Sequence, residues 1–210
     1  MVRYGQYCPV AKAAEVLGDR WTLLLARELL QGAEGFNELE RGLPGISRSV
    51  LAQRLRTLER RGIVQRAEPR GYHLTDAGRD LAGVIDKLGE WGATWAFGDP
   101  LPDELDPDLV MGWIARHTAK RPETRTVIQF DCRAPKRRYW LVLEPGDVSV
   151  CREAPGFDTD VLVEADVQQL YGLYFGRTTL RDPAIAVRGA PRGEVDSWFA
   201  WSKYAPALRV

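Results

Sequence analysis

The residues with the clearest chemistry fall between Phe36 and Thr75, in the run FNELERGLPGISRSVLAQRLRTLERRGIVQRAEPRGYHLT. Gln53 carries a donor and an acceptor on one amide and can pair with an adenine edge. Arg48 and Arg56 carry forked guanidinium groups that match guanine. Ser49 adds a hydroxyl on the same side. Arg60 lies too far along for a base and suits a phosphate, whereas Ser47 can both cap a helix and donate to a phosphate. Between positions 41 and 70 eight arginines stand against two glutamates, a local charge of +6 in a chain with no net charge. Positive charge confined in this way fits a DNA footprint. The plain alternative is a solvated basic face.

These side chains need a scaffold, and the same run supplies one. It parses as a short helix, a glycine turn, a second helix over about Ser47–Arg61, and two strands joined by a tight turn. At 100° per residue Leu51, Leu55 and Leu58 form one apolar stripe, while Ser49, Gln53, Arg56 and Arg60 cluster on the opposite side. Arg48 belongs to the first turn. Beyond Gly62, the segment Ile63 to Ala67 favours a strand, Glu68-Pro69-Arg70-Gly71 a turn, and Tyr72-His73-Leu74 a returning strand. Arg70 at the tip, with Tyr72 beside it, is placed to touch the DNA backbone or minor groove.

At 210 residues the chain has room for two small domains. The segment 99–108 holds three prolines and five acids and suits an exposed connector. The expected layout is therefore a first domain over 1–98, a linker over 99–108 and a second domain over 109–210. The first residues lack an apolar leader, and the longest aliphatic stretch, Trp21 to Ala26, is too short to cross a bilayer, which predicts a cytoplasmic protein with no membrane partner. Cys8, Cys132 and Cys151 are odd in number and widely spaced, so neither a disulfide framework nor a metal site is expected. With two histidines and no phosphate loop, nucleophile elbow or His pair, the chain reads as a non-enzyme without a cofactor.

Ahead of the basic run, Pro9 to Leu17 predicts a helix ending at Gly18, and Asp19 is the expected cap of a second helix through Leu30, with Trp21, Leu24, Leu25 and Leu29 as core. Thr75 is the expected cap of a long helix from Asp76 to about Phe97. Its stripe of Leu81, Val84, Ile85, Leu88, Trp91 and Trp95 seeks a partner helix and predicts a homodimer. Cys8-Pro9, LGDRW at 17 to 21, FNELERGLPGIS at 36 to 47, LAQRLRTLERRGIV at 51 to 64 and LTDAGRDL at 74 to 81 together resemble the HxlR family of bacterial winged-helix regulators. The resemblance covers about residues 5 to 97. It implies a dimer on double-stranded DNA, although the family usually carries a longer wing hairpin. In several members the cysteine matching Cys8 senses oxidants or electrophiles. A lone cysteine is otherwise a small buried hydrophobe, and both readings stay open.

The second half predicts a helix from Leu109 to His117, antiparallel strands near Thr126–Cys132, Tyr139–Leu143, Asp147–Cys151 and Thr159–Val163, a helix from Val167 to Phe175, a short strand at Ile185–Val187 and a final helix holding Trp198, Phe199 and Trp201. With the segment GRTTLRDPAIAVRGAP, this order is similar to a sterol-carrier-protein-type domain over about 105 to 208, which implies a sandwich-like fold around a small apolar ligand. Leu170, Tyr174, Phe175, Trp198 and Trp201 are the candidate lining residues, or else plain core. The fold class is α+β. The expected function is regulation of transcription at a DNA operator, modulated by an apolar effector. The alternatives are redox sensing through Cys8, or a lipid or small-molecule carrier that uses the winged helix for docking.

Overall fold

A computed structural model describes residues 3–67, 71–119, 123–201 and 204. The chain divides into two compact units, Met1–Gly89 and Glu90–Val210, each with its own core. No helix among the described residues is long and apolar enough to cross a membrane.

The first unit is built from α1 (Pro9–Leu17), α2 (Thr22–Leu30), α3 (Phe36–Arg41), α4 (Arg48–Arg60), a hairpin of β1 (Val64–Ala67) and β2 (Gly71–Leu74), α5 (Asp76–Arg79) and the start of α6 (Leu81–Trp95). Leu25 and Leu29 of α2, Leu39 of α3, and Leu51, Leu55 and Leu58 of α4 close the core with Val64 and Leu74 of the hairpin. Each such side chain contributes about 1.5–3 kcal/mol of burial. Leu24 departs from the expected core and is 42% exposed. It lies one 100° step from Leu25, on the edge of the buried stripe.

Asp19 does not cap α2. Its carboxylate reaches 35 positions along the chain to Arg54 of α4, at 2.5 Å, and the chain reverses instead through Trp21 in the left-handed region, φ 78°. A non-glycine residue there costs about 1–2 kcal/mol. The Trp21 ring offsets that cost by packing against the first core. The single helix expected from Asp76 is two segments. Asp80 between them stays near-helical, φ −63° and ψ −18°, so the interruption is a loosened turn after Thr75, whose hydroxyl donates to the Gly62 carbonyl ahead of β1 and accepts from Gly78 N–H.

In the second unit α7 (Pro107–Arg116) is capped by Asp106, whose carboxylate accepts from Asp108 N at 2.8 Å. Five strands follow among the described residues: β3 (Thr126–Cys132), β4 (Arg137–Glu144), β5 (Asp147–Cys151), β6 (Val161–Ala165) and β7 (Ala186–Arg188), interleaved with α8 (Val167–Tyr174) and followed by α9 (Arg192–Ser197). The sheet order is β5-β4-β3-β6-β7. The expected all-antiparallel sheet is corrected at one seam, because β3 and β6 pair in parallel, Ile128 against Val161 through Cys132 against Ala165. Pro145-Gly146 does form a tight β4–β5 turn, with Gly146 at φ 92°. The stretch 152–160 is too long for a hairpin, and its nine residues, reaching up to about 30 Å, carry the chain back to the far side of β3.

Alternate residues of β3 and β4 (Ile128, Phe130, Cys132; Tyr139, Leu141, Leu143) face one core with α7 and α8, as a pleated strand requires. The expected aromatic final helix is also corrected. α9 ends at Ser197, and Phe199 pairs as an isolated bridge with Thr118, while Ala119 N donates to Trp198 O at 2.8 Å. These backbone bonds to the stretch beyond α7 draw the aromatic stretch out of helical geometry.

Candidate nucleic-acid interface

The interface candidates follow from how α4 is mounted. Leu51, Leu55 and Leu58 are essentially fully buried, which fixes the helix rotation and leaves Ser49, Gln53, Arg56 and Arg60 exposed on the opposite side. Ser47 caps the helix by accepting from Val50 N at 3.3 Å, and its hydroxyl lies 3.1 Å from that of Ser49. Ser47→Ala is expected to cost about 0.5–2 kcal/mol, measured as a drop in the urea midpoint with an unchanged slope.

Along the exposed face the four side chains differ in freedom. Thr57 Oγ1 donates to the Gln53 carbonyl, leaving the amide clear. Arg60 Nη2 donates to Thr57 Oγ1 at 3.2 Å. Arg56 makes no side-chain bond to another described residue.

Arg48 is held in place. Both terminal nitrogens of its guanidinium donate to Asn37 Oδ1 at 3.2 Å, one pairs with the Glu40 carboxylate, and the group lies 4.8 Å from the centroid of the Phe36 ring. α3 therefore supplies a clamp for the first turn of α4. Neither Asn37 nor Glu40 stands out in the sequence, since their separations of eleven and eight residues mark no periodicity. Only the turn between the helices brings them together. That turn is crowded: a Cβ at Gly42 would sit 2.2 Å from the carboxylate of Glu28, itself fully buried.

The hairpin pairs antiparallel from Val64 opposite Leu74 to Ala67 opposite Gly71. Arg70 lies outside the described residues. Tyr72 is half-buried against the first core, its backbone N–H donates to Glu34 O at 3.0 Å, and Arg66 stands 5.8 Å from its ring. Arg66 also pairs with Glu59 at 3.0 Å. Of the segment's arginines, Arg48, Arg54 and Arg66 have acidic neighbours, while Arg56 and Arg60 stand exposed on the outer face of α4.

Cys8 sits half-buried at the N-cap of α1 and gives no side-chain cap. The segment before it is anchored by Tyr4 N, which donates to Glu15 Oε1 at 3.0 Å. That bond and Lys12 hold the Glu15 carboxyl below the usual carboxylate range. Burial pushes the Cys132 thiol up. The three cysteines are free, and no metal-holding group of His, Cys, Asp and Glu occurs among the described residues.

Among the second unit's candidate residues, Leu170, Tyr174 and Trp198 are core. Trp201 stacks on Phe199 at 5.0 Å and donates to Asp196 at 2.9 Å. Phe175 borders a cleft of about 760 Å³.

Residues 16–99 match the family described as HxlR-like helix-turn-helix. The uncharacterised HTH-type transcriptional regulator YvaP of Bacillus subtilis is 37% identical over 97 residues, 43% of this chain and 90% of that protein. The chain belongs to the HxlR-like helix-turn-helix family. A further relative, the uncharacterised HTH-type transcriptional regulator Rv3095 of Mycobacterium tuberculosis, is 44% identical over 89 residues, 40% of this chain and 56% of its own length. Among solved structures, quinone-bound YodB from B. subtilis is 36% identical, with a TM-score of 0.38 over 40% of this chain and 96% of that one. The HxlR-like match thus accounts for the unit that carries α4, and its named relatives are transcriptional regulators.

Proposed function

We propose that this HxlR-like protein is a homodimeric, sequence-specific DNA-binding regulator of transcription that lays α4 in the major groove. The observation that carries the reading is the two-sided character of α4: a buried leucine stripe opposite an exposed line of Ser49, Gln53, Arg56 and Arg60, with Arg48 clamped at the helix start. A helix mounted in this way can bring Gln53 and the arginines to base edges while Ser47 and Arg60 meet phosphates. Arg70 and Tyr72 of the wing are assigned to backbone or minor-groove contacts.

The dimer reading is supported by α6. Val84, Leu88, Trp91 and Trp95 are all about half exposed or more, and large apolar side chains repeated along a helix are the usual material of a helix pairing. Two copies would also suit the two half-sites that such readers occupy. The second unit, read as a sterol-carrier-type domain, would hold the effector. Cys8, half-buried at a helix start, gives a second reading in which oxidation modulates DNA binding; unchanged oxidant response after Cys8→Ser removes it.

The deciding experiment selects a binding site from random duplexes and follows affinity against salt. If each protomer of a dimer neutralises about three phosphates, affinity should fall by about 10³ between 50 and 200 mM salt. A flat salt response, or a protein that remains monomeric in analytical ultracentrifugation at micromolar concentration, overturns the reading.

A further inference from the structure

The cleft in the second unit has a chemical character that the expected apolar pocket lacks. Its wall is aromatic: Phe97, Trp113, Tyr171 and Phe175 all line it. The rings brace one another, with Phe97 against Phe175 at 4.8 Å and Trp113 against Phe175 at 5.9 Å, both edge to face. The Tyr171 hydroxyl is already committed to the Asp106 backbone, so Tyr171 offers the cleft its ring rather than a donor.

The charged groups at the same cleft are unbalanced. Among the described lining residues, Asp99, Glu104 and Asp182 stand against Arg177. That one guanidinium is itself engaged, donating to the carbonyls of Phe97 and Gly98 at 3.1 and 3.0 Å, pairing with Asp99 at 3.5 Å and lying 4.9 Å from the Phe97 ring. Asp182 is held below the usual carboxylate range by the Thr178 hydroxyl and Ala184 N–H and so stays ionised. Ring faces carry negative quadrupole potential, and carboxylates reinforce it. Both favour a cation and disfavour an anion. A cleft of about 760 Å³ is within the range that takes a drug-sized molecule.

We infer that this cleft binds a flat aromatic organic cation, stacked among Phe97, Trp113 and Phe175 with its charge toward Asp99 and Glu104. The inference rests on the reading of the second unit as the effector domain and replaces its neutral apolar ligand with a charged one. It also gives the ligand a lever, because the Arg177 bonds it would adjoin hold the residues immediately after α6.

The test uses the full-length protein and two xanthene dyes of opposite charge, with fluorescence anisotropy as the readout. Rhodamine 6G, the cation, is expected to bind saturably, and fluorescein, the anion, at least about tenfold more weakly. Phe175→Leu keeps bulk and removes the ring, and should weaken rhodamine 6G about three- to fivefold. Asp99→Asn, at a fully exposed position, should weaken it about twofold without touching the fold. Should Phe175→Leu fail to fold, the dye comparison and Asp99→Asn still decide. Equal affinity for the two dyes, no saturable binding, or binding untouched by Asp99→Asn overturns the inference. DNA binding of the dye-free protein is measured in parallel: operator binding without dye binding removes the cleft and leaves the regulator, whereas dye binding without DNA binding does the reverse.

Discussion

Gly78→Ala is expected to destabilise the first unit by about 2–4 kcal/mol, lowering its melting midpoint by roughly 10–20 °C. A Cβ at this position would lie 2.2 Å from the carbonyl oxygen of Ile63 and 2.8 Å from a methyl of Leu74. The carbonyl cannot retreat cheaply. It already accepts from Thr75 N at 3.0 Å and from Thr75 Oγ1 at 3.2 Å, while the Gly78 N–H donates to that same hydroxyl. Thr75 thereby rivets α5 to the base of the hairpin, and the glycine exists to let them meet. Gly83 supplies the opposite sign. It lies within α6, is exposed and would place its new methyl in open space, so Gly83→Ala should gain about 0.5–1 kcal/mol from helix propensity. Chemical denaturation of both variants checks the pair, and a Gly78→Ala protein within about 0.5 kcal/mol of the parent would show that the close approach does not exist.

The second large effect separates reading from holding on a single helix. Leu55→Ala should cost about 2–5 kcal/mol of stability, because a fully buried side chain among Leu51, Leu58 and Leu39 leaves a cavity its neighbours cannot fill. Gln53→Ala, two positions away and exposed, should leave stability within about 0.5 kcal/mol and weaken binding to the selected site by about 1–3 kcal/mol, roughly five- to 150-fold. Calorimetric melting and binding titrations on matched and scrambled duplexes distinguish the two. Equal loss on every duplex would assign Gln53 to the DNA backbone instead of a base.

The mounting of α4 was readable because its causes are local: three leucines at helical spacing, a serine one residue before the first turn, and glycines at the turns. The hairpin was readable for the same reason. Arg48 was only half readable. Its position in the first turn follows from counting, but its clamp depends on Asn37 and Glu40, which only the fold brings near. Asp19 shows the reverse failure, a residue with good local credentials as a cap whose carboxylate is taken by Arg54 from a distant helix. In the second unit, strand positions follow from alternation, yet the parallel pairing of β3 with β6 depends on where a nine-residue connection lands. Periodicity carries no record of that. The stretch from Trp198 to Trp201 looked helical by its apolar spacing, and backbone pairing beyond α7 prevailed.

If Arg48 reads DNA as proposed, its clamp changes the cost of recognition. A free arginine gives up as much as about 2 kcal/mol of rotamer freedom when it is fixed on a ligand, and here part of that ordering is met in the folded protein, by groups on α3. The same arrangement sets a toll of a different kind: in the proposed complex, DNA would take this guanidinium only by competing with the Glu40 carboxylate, so a duplex that offers no good acceptor opposite the first turn of α4 would leave the pair undisturbed. Selectivity at that position would then be divided between two helices, and α3 would shape which sequences are accepted without touching a base.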